Sequence, residues 1–296
     1  MKFKDFFSLG NLLAGFAAVI ALLEIEPAER AFTWACIFIY VGYVFDLLDG
    51  PVARLTKQHD TFGGIFDSVC DYITNSVAPS FIIYHFYSHV AGFPWYIGAF
   101  VGAFPITFGT IRQAKQQDRP LSYPCYWFGI PRPVLTVFIL ALLNSSIFAL
   151  GIAQASPWRE LVYGVGALLI ILMSVLHLSK IPFVNHHGRR WMGVLRFGMH
   201  SFLTAVPIAF LFVWLILGRP ALVYDIILFD LLVYLLLAWT QIPREDIRRM
   251  RHLVETGELI EPLVHKNSSW RPRTGAPYFL EDEPELRATT TPARDA

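Results

Sequence analysis

Apolar runs long enough to cross a lipid bilayer recur along this chain, and that recurrence limits its possible folds more than any single motif does. A helix needs about 20 apolar residues to span the hydrocarbon core. By that measure about eight segments qualify, at residues 9–25, 32–48, 64–87, 93–111, 134–152, 161–178, 199–217 and 221–239. Asp67, Asp71, Pro79 and Pro105 interrupt the third and fourth. The expected fold is an all-α, polytopic membrane helix bundle. Composition agrees: 55% of the 296 residues are hydrophobic and 16% charged, and the mean hydropathy is +0.48, beyond the range of soluble domains.

Lysine and arginine collect on alternate connections, which places both termini in the cytosol. The carriers are Lys2 and Lys4; Arg54 and Lys57; Arg112, Lys115, Arg119 and Arg132; Lys180, Arg189, Arg190 and Arg196; and Arg244 to Arg251. The start, "MKFKDFFSLGNLLAGF", is basic like a signal peptide but lacks a small-residue cleavage site, so it reads as a retained first helix. Residues 1–242 are expected to form the membrane-embedded domain. From residue 243 the sequence turns charged and proline-containing, as expected of a cytosolic tail that begins as an amphipathic helix and ends disordered. A formal net charge of +1 offers no general attraction for nucleic acid. Three cysteines, Cys36, Cys70 and Cys125, form neither a CxxC pair nor an even framework, and read as small packing residues.

Against this apolar background stands "DLLDGPVARLTKQHDTFGGIFDSVCD". Asp46 and Asp49 are spaced i, i+3 at the end of the second span, and Asp67 and Asp71 i, i+4 at the start of the third, so each pair shares a helix face. If the two helices pair through a turn near Lys57 to Thr61, the four carboxylates converge at one depth. They would repel strongly unless a cation sat among them. Hard oxygen ligands suit Mg²⁺, Mn²⁺ or Ca²⁺, and magnesium prefers sites that it shares with substrate phosphates. Gly50 and Gly63 leave room for backbone to approach a ligand, Ala53 keeps its helix face low, and Arg54 offers a planar fork to phosphate. Helix-end solvation accounts for one or two such aspartates, but four at membrane depth point to function.

Asp46-x2-Asp49-Gly50-x2-Ala53-Arg54-x8-Gly63-x3-Asp67-x3-Asp71 resembles, at all eight fixed positions, the signature of the CDP-alcohol phosphotransferases. The resemblance implies an integral membrane enzyme, usually dimeric, that moves a phosphatidyl or similar group from a CDP-linked donor to an alcohol and releases CMP. It further implies that Asp46, Asp49, Asp67 and Asp71 bind two divalent cations, Mg²⁺ or Mn²⁺, and that Asp71 also acts as the base. Asp46, Asp49, Gly50, Ala53, Arg54 and Gly63 would hold the cytidine diphosphate. The expected setting is the bacterial inner (cytoplasmic) membrane, with the site facing the cytosol.

Further stretches are similar to the phosphatidylserine synthase branch of that family: "SLGNLLAGF" (8–16), "TFGGIFDSVCD", Val77-Ala78-Pro79, "FGIPRP" (128–133) and "SKIPF" (179–183). That likeness favours CDP-diacylglycerol as donor and L-serine as acceptor. Thr74-Asn75-Ser76 and Lys115 depart from the branch, and "DYITNSVAPS" is similar to phosphatidylcholine synthases, so choline stays open. Serine needs a cation for its carboxylate, for which Arg112, Lys115 and Arg132, expected in cytosolic loops, are candidates. Choline needs an aromatic cage, for which Tyr123, Tyr126 and Trp127 are at hand. The same cations also serve as positive-inside determinants or contacts to anionic lipid.

Asp225 and Asp230 lie within the last apolar run, where a hydrogen-bonded contact to another helix is expected. His85 and His89 have the spacing of a zinc pair but no third ligand nearby, and read as interfacial residues. Trp95, Tyr96 and Trp158 read as belt anchors. A membrane prenyltransferase would place its two acidic motifs on widely separated helices. A carboxylate-lined cation transporter would leave Gly50, Arg54 and Gly63 without a purpose.

Overall fold

In the computed structural model, residues 5–56, 61–118, 122–123, 126–153, 158–184, 220–237, 244, 247–248 and 251–252 are described. Among them the apolar runs are helical. Helix α1 (Asp5–Glu24) and helix α2 (Ala28–Thr56) form a hairpin through residues 25–27. The buried face of α1 is made of small residues, with Ala14, Gly15, Ala18 and Ala21 turned inward, which lets helices approach closely. A Cβ at Gly15 would lie 2.7 Å from Thr74 Oγ1, so a larger residue would push a neighbouring helix away. The opposite face of α1 exposes Phe6, Leu13, Phe16, Ile20 and Leu23, as a lipid-facing surface does.

The third run is one continuous helical rod in four parts: α3 (Thr61–Tyr72), a π-helical turn (Ile73–Val77), α4 (Ala78–His85) and a second π-helical turn (Phe86–Val90). Pro79 does not break the rod. It lacks the N–H that would bond the Asn75 carbonyl, and the Thr136 hydroxyl donates to that carbonyl instead, at 2.9 Å.

Helix α5 (Trp95–Asp118) continues past the expected limit at residue 111. Arg112 and Lys115 therefore sit on a helix rather than in the loop where the sequence placed them. Helix α6 (Arg132–Leu143) is buried at every residue from Val134 to Leu143. A helix apolar on all sides belongs at the centre of the bundle, and the Asn75 bond ties α6 to the rod. The expected run 134–152 is divided, because the Asn144 amide bonds back to the Leu140 carbonyl at 2.8 Å and ends the helix. Helix α7 (Ser146–Ala153) follows.

Helix α8 (Trp158–Leu176) exposes Leu161, Val165, Leu168 and Leu172, and helix α9 (Pro220–Leu237) exposes Ile226, Phe229 and Leu236. Among the described residues, four stretches have the length and apolar content to cross a membrane: 5–24, 28–48, 132–149 and 158–176. The expected run 199–217 lies outside the described residues, as do 253–296. In the tail, Arg244, Ile247, Arg248, Arg251 and His252 are helical, with Ile247 packed against the core and the three arginines exposed. A small antiparallel sheet, unforeseen in the sequence, pairs β1 (Ser122–Tyr123) with β2 (Tyr126–Phe128) and β2 with β3 (Pro182–Val184).

Candidate functional site

Three of the four signature aspartates meet. Asp46 from α2 and Asp67 and Asp71 from α3 each bring a carboxylate oxygen within 4.8 Å of the others. Asp67 and Asp71 share a face of α3 because they are one helical turn apart. Asp49, Gly50, Ala53 and Arg54 continue along α2, whose backbone is helical to Thr56. Their side chains lie outside the described residues, as does the turn at 57–60. Gly63 is buried in the first turn of α3.

One neighbour of this cluster was not foreseen. Asn11, fully buried on α1, donates from Nδ2 to Asp71 Oδ1 at 2.9 Å. Its backbone carbonyl accepts the Thr74 hydroxyl, also at 2.9 Å, which locks α1 to the π-helical turn that follows Asp71. The available signal was an uncharged amide in an otherwise apolar run, since such groups are costly in a bilayer unless they bond another helix.

Asp67 Oδ1 is buried and has no hydrogen-bond partner. A buried carboxylate oxygen left in this way costs free energy unless something answers it. Three hard oxygens within reach of one another are the donor set that a divalent cation takes, so the residues present fit such an ion. The three aspartates frame a place for a cation, where the sequence reading expects two.

Of two buried arginines, Arg132 borders the cluster and Arg112 does not. Arg132, the first residue of α6, donates from Nη1 to the Ser68 carbonyl at 3.1 Å and to Gln113 Oε1. It also interacts electrostatically with Asp46, Asp67 and Asp71. Arg112 faces elsewhere, with Nη1 donating to the carbonyls of Phe128 at 2.7 Å and His177 at 2.6 Å. Lys115 is exposed on α5. The three cations read as equivalent in the sequence thus occupy three different environments.

Asp225 makes the contact to another helix expected of it, whereas Asp230 is half-buried on α9. Asp225 Oδ1 accepts the backbone N–H of Ser146 at 2.9 Å, a bond from α9 to the first residue of α7. His85 Nε2 meets the Ala28 carbonyl at 3.0 Å, and its ring stacks near that of His89. Cys36 and Cys70 are buried and stand outside any disulfide among the described residues, whereas Cys125 lies outside those residues. Trp95, Tyr96 and Trp158 are exposed near helix ends.

Residues 2–172, a segment that contains the whole cluster, match the CDP-alcohol phosphatidyltransferase family. A CDP-diacylglycerol–serine O-phosphatidyltransferase of Helicobacter pylori strain J99 is 29% identical over 244 residues, covering 81% of this chain and 94% of the relative. The archaetidylserine synthase of Methanothermobacter thermautotrophicus is 32% identical over 62% of this chain and 70% of its own length. The phosphatidylcholine synthase of Rhizobium meliloti is 25% identical over 73% and 78% respectively.

Proposed function

The chain belongs to the CDP-alcohol phosphatidyltransferase family, and from that premise we propose that this transferase moves a phosphatidyl group from CDP-diacylglycerol to L-serine, yielding phosphatidylserine and CMP. The observation that carries the chemistry is the convergence of Asp46, Asp67 and Asp71, with Asp67 Oδ1 left without a hydrogen-bond partner. Serine is supported by the names of the Helicobacter and Methanothermobacter relatives, both serine-specific in wording. Choline is the acceptor to test against it, on the name of the Rhizobium relative.

In this reading Asp46, Asp49, Asp67 and Asp71 hold two divalent cations, Mg²⁺ or Mn²⁺. When bound, such ions neutralise charge on the diphosphate and on the departing CMP. Gly50, Ala53 and Gly63 leave space for the cytidine diphosphate, and Arg54 donates to it. The Asn11 bond fixes one oxygen of Asp71. The Asp71 carboxylate takes the proton from the serine hydroxyl as that oxygen attacks the phosphatidyl phosphorus. The bond from this phosphorus to the bridging oxygen breaks, and the bridging oxygen leaves with CMP. No covalent intermediate on the protein is required.

The same reading gives residues 1–242 about eight spans in a bacterial inner membrane, a cytosol-facing site, a dimeric assembly and a cytosolic tail at 243–296. The test is CMP release by detergent-solubilised protein given CDP-diacylglycerol and Mn²⁺ or Mg²⁺, with serine, choline, inositol and glycerol 3-phosphate offered separately. Release with serine alone, lowered roughly 10²- to 10⁴-fold in Asp71→Asn as loss of a general base does, is expected. Release with choline alone would replace the acceptor, and no release with any alcohol would overturn the transfer reading.

A further inference from the structure

The turn that leads into α6 is held on several sides. Arg112 bonds the carbonyls of Phe128 and His177, and His177 Nδ1 meets the Ile130 carbonyl at 2.5 Å. The Gly129 N–H donates to the Ile181 carbonyl at 3.0 Å, and the Ile130 N–H to the Leu176 carbonyl at 3.2 Å. Gly129 has φ +64°, and a Cβ there would lie 2.3 Å from the His177 carbonyl oxygen. A turn so constrained delivers Arg132 to one place.

The side chain of Arg132 is then positioned by its neighbours. Gln113, the residue after Arg112 on α5, accepts from Arg132 Nη1 with Oε1 and donates from Nε2 to Ser68 Oγ at 3.0 Å. Ser68 also offers its carbonyl to the same Nη1, and it stands on α3 directly after Asp67 and three residues before Asp71. Both groups that hold this guanidinium are neutral. An amide orients an arginine without consuming its charge, whereas a carboxylate at residue 113 would neutralise it. The outcome is a fixed, charged fork whose second nitrogen has only a 3.4 Å contact to Ser68 Oγ. Arg132 is 6% exposed and faces the carboxylates of Asp46, Asp67 and Asp71; with a cation on those carboxylates, the buried guanidinium is left to be answered by a further anion.

We propose that Gln113 is a specificity-determining residue: together with Ser68 it holds the Arg132 fork beside the aspartate cluster, where the fork receives the carboxylate of the acceptor. Arg112 does not meet the acceptor and acts through the turn. The inference rests on serine being the acceptor and names what selects it.

The test uses the full chain in detergent with CDP-diacylglycerol, and compares L-serine with L-serinamide, which keeps the hydroxyl and amine but lacks the carboxylate. In Gln113→Ala the fork is released, and in Gln113→Glu it is held but neutralised. Both variants should raise the KM for L-serine by roughly tenfold or more, the weight of one hydrogen bond between charged groups. Both should also bring the serine-to-serinamide preference toward unity while the KM for CDP-diacylglycerol stays constant. A purely structural role would lower kcat for both acceptors together and leave the preference intact, which overturns the proposal. The near-isosteric Gln113→Glu variant keeps the result readable if Gln113→Ala folds poorly. A wild-type protein that releases no CMP with serine removes the serine reading and this proposal together. Serine-dependent release with an unchanged preference in both variants removes only the role of Gln113.

Discussion

Helices α3 and α9 both carry aspartates within apolar sequence, and Asp225 on α9 answers the cost of its charge in the opposite way to the pair on α3. On α9, Asp225 accepts the N–H of Ser146 at the start of α7. The first N–H groups of a helix have no partner within it and carry its positive end, so the carboxylate and the helix terminus satisfy each other. On α3, Asp67 and Asp71 share a small space with Asp46, and one oxygen of Asp67 has no hydrogen-bond partner. The first arrangement is complete as it stands. The second is unfavourable for the protein alone and favourable once a cation is present. An acidic residue in a membrane helix therefore says little until its neighbours are known.

Substitutions at the two places should separate along that line. Removing the Asp67 charge by Asp67→Asn is expected to abolish CMP release, by at least about 10²-fold, since charge stabilisation at the reacting centre is lost. The same change relieves repulsion, so the melting temperature without metal should hold or rise. A fall in that temperature would mean the cluster is already satisfied by the protein. Next in size is Asn11→Ala, which should lower kcat by about tenfold, the weight of one hydrogen bond to a charged group. Combined with Asp71→Asn it should add nothing, because the bond has then lost its charged acceptor; an additive loss would show Asn11 acting elsewhere. The smallest effect belongs to Asp225→Ala. It should leave turnover unchanged and cost about 1 kcal/mol of stability, as loss of a helix cap does, read from unfolding in detergent.

The sequence made one half of the site legible and hid the other, for a physical reason. Asp46 with Asp49, and Asp67 with Asp71, can be found because helical spacing alone puts each pair on one face. Glycine and arginine between them strengthened the pattern. Asn11 and Gln113 could not be found in that way, because their partners lie 60 and 45 residues away on other helices. Contacts of that kind arise from packing and leave no local period. The three cations failed differently. Arg112, Lys115 and Arg132 looked alike as charges near a membrane edge, yet one clamps a turn, one is exposed and one borders the aspartates. Charge sets the side of the membrane, and only the fold sets what each charge touches. The helix break at Asn144 was likewise masked by apolar residues on both sides of it.

The wide turn at Ile73–Val77 has one more consequence. Each residue of an α-helix advances the chain by about 100° around the axis, so a turn of different width resets the angular phase of everything beyond it. Below it, Asp67 and Asp71 face Asp46, and above it, Ile82, Ile83 and Phe86 face the core. The two halves of the rod keep these separate appointments only because the stretch between them has its present number of residues. A deletion of one position would force a choice between the aspartate cluster and the core, and no single rotation of the rod could restore both.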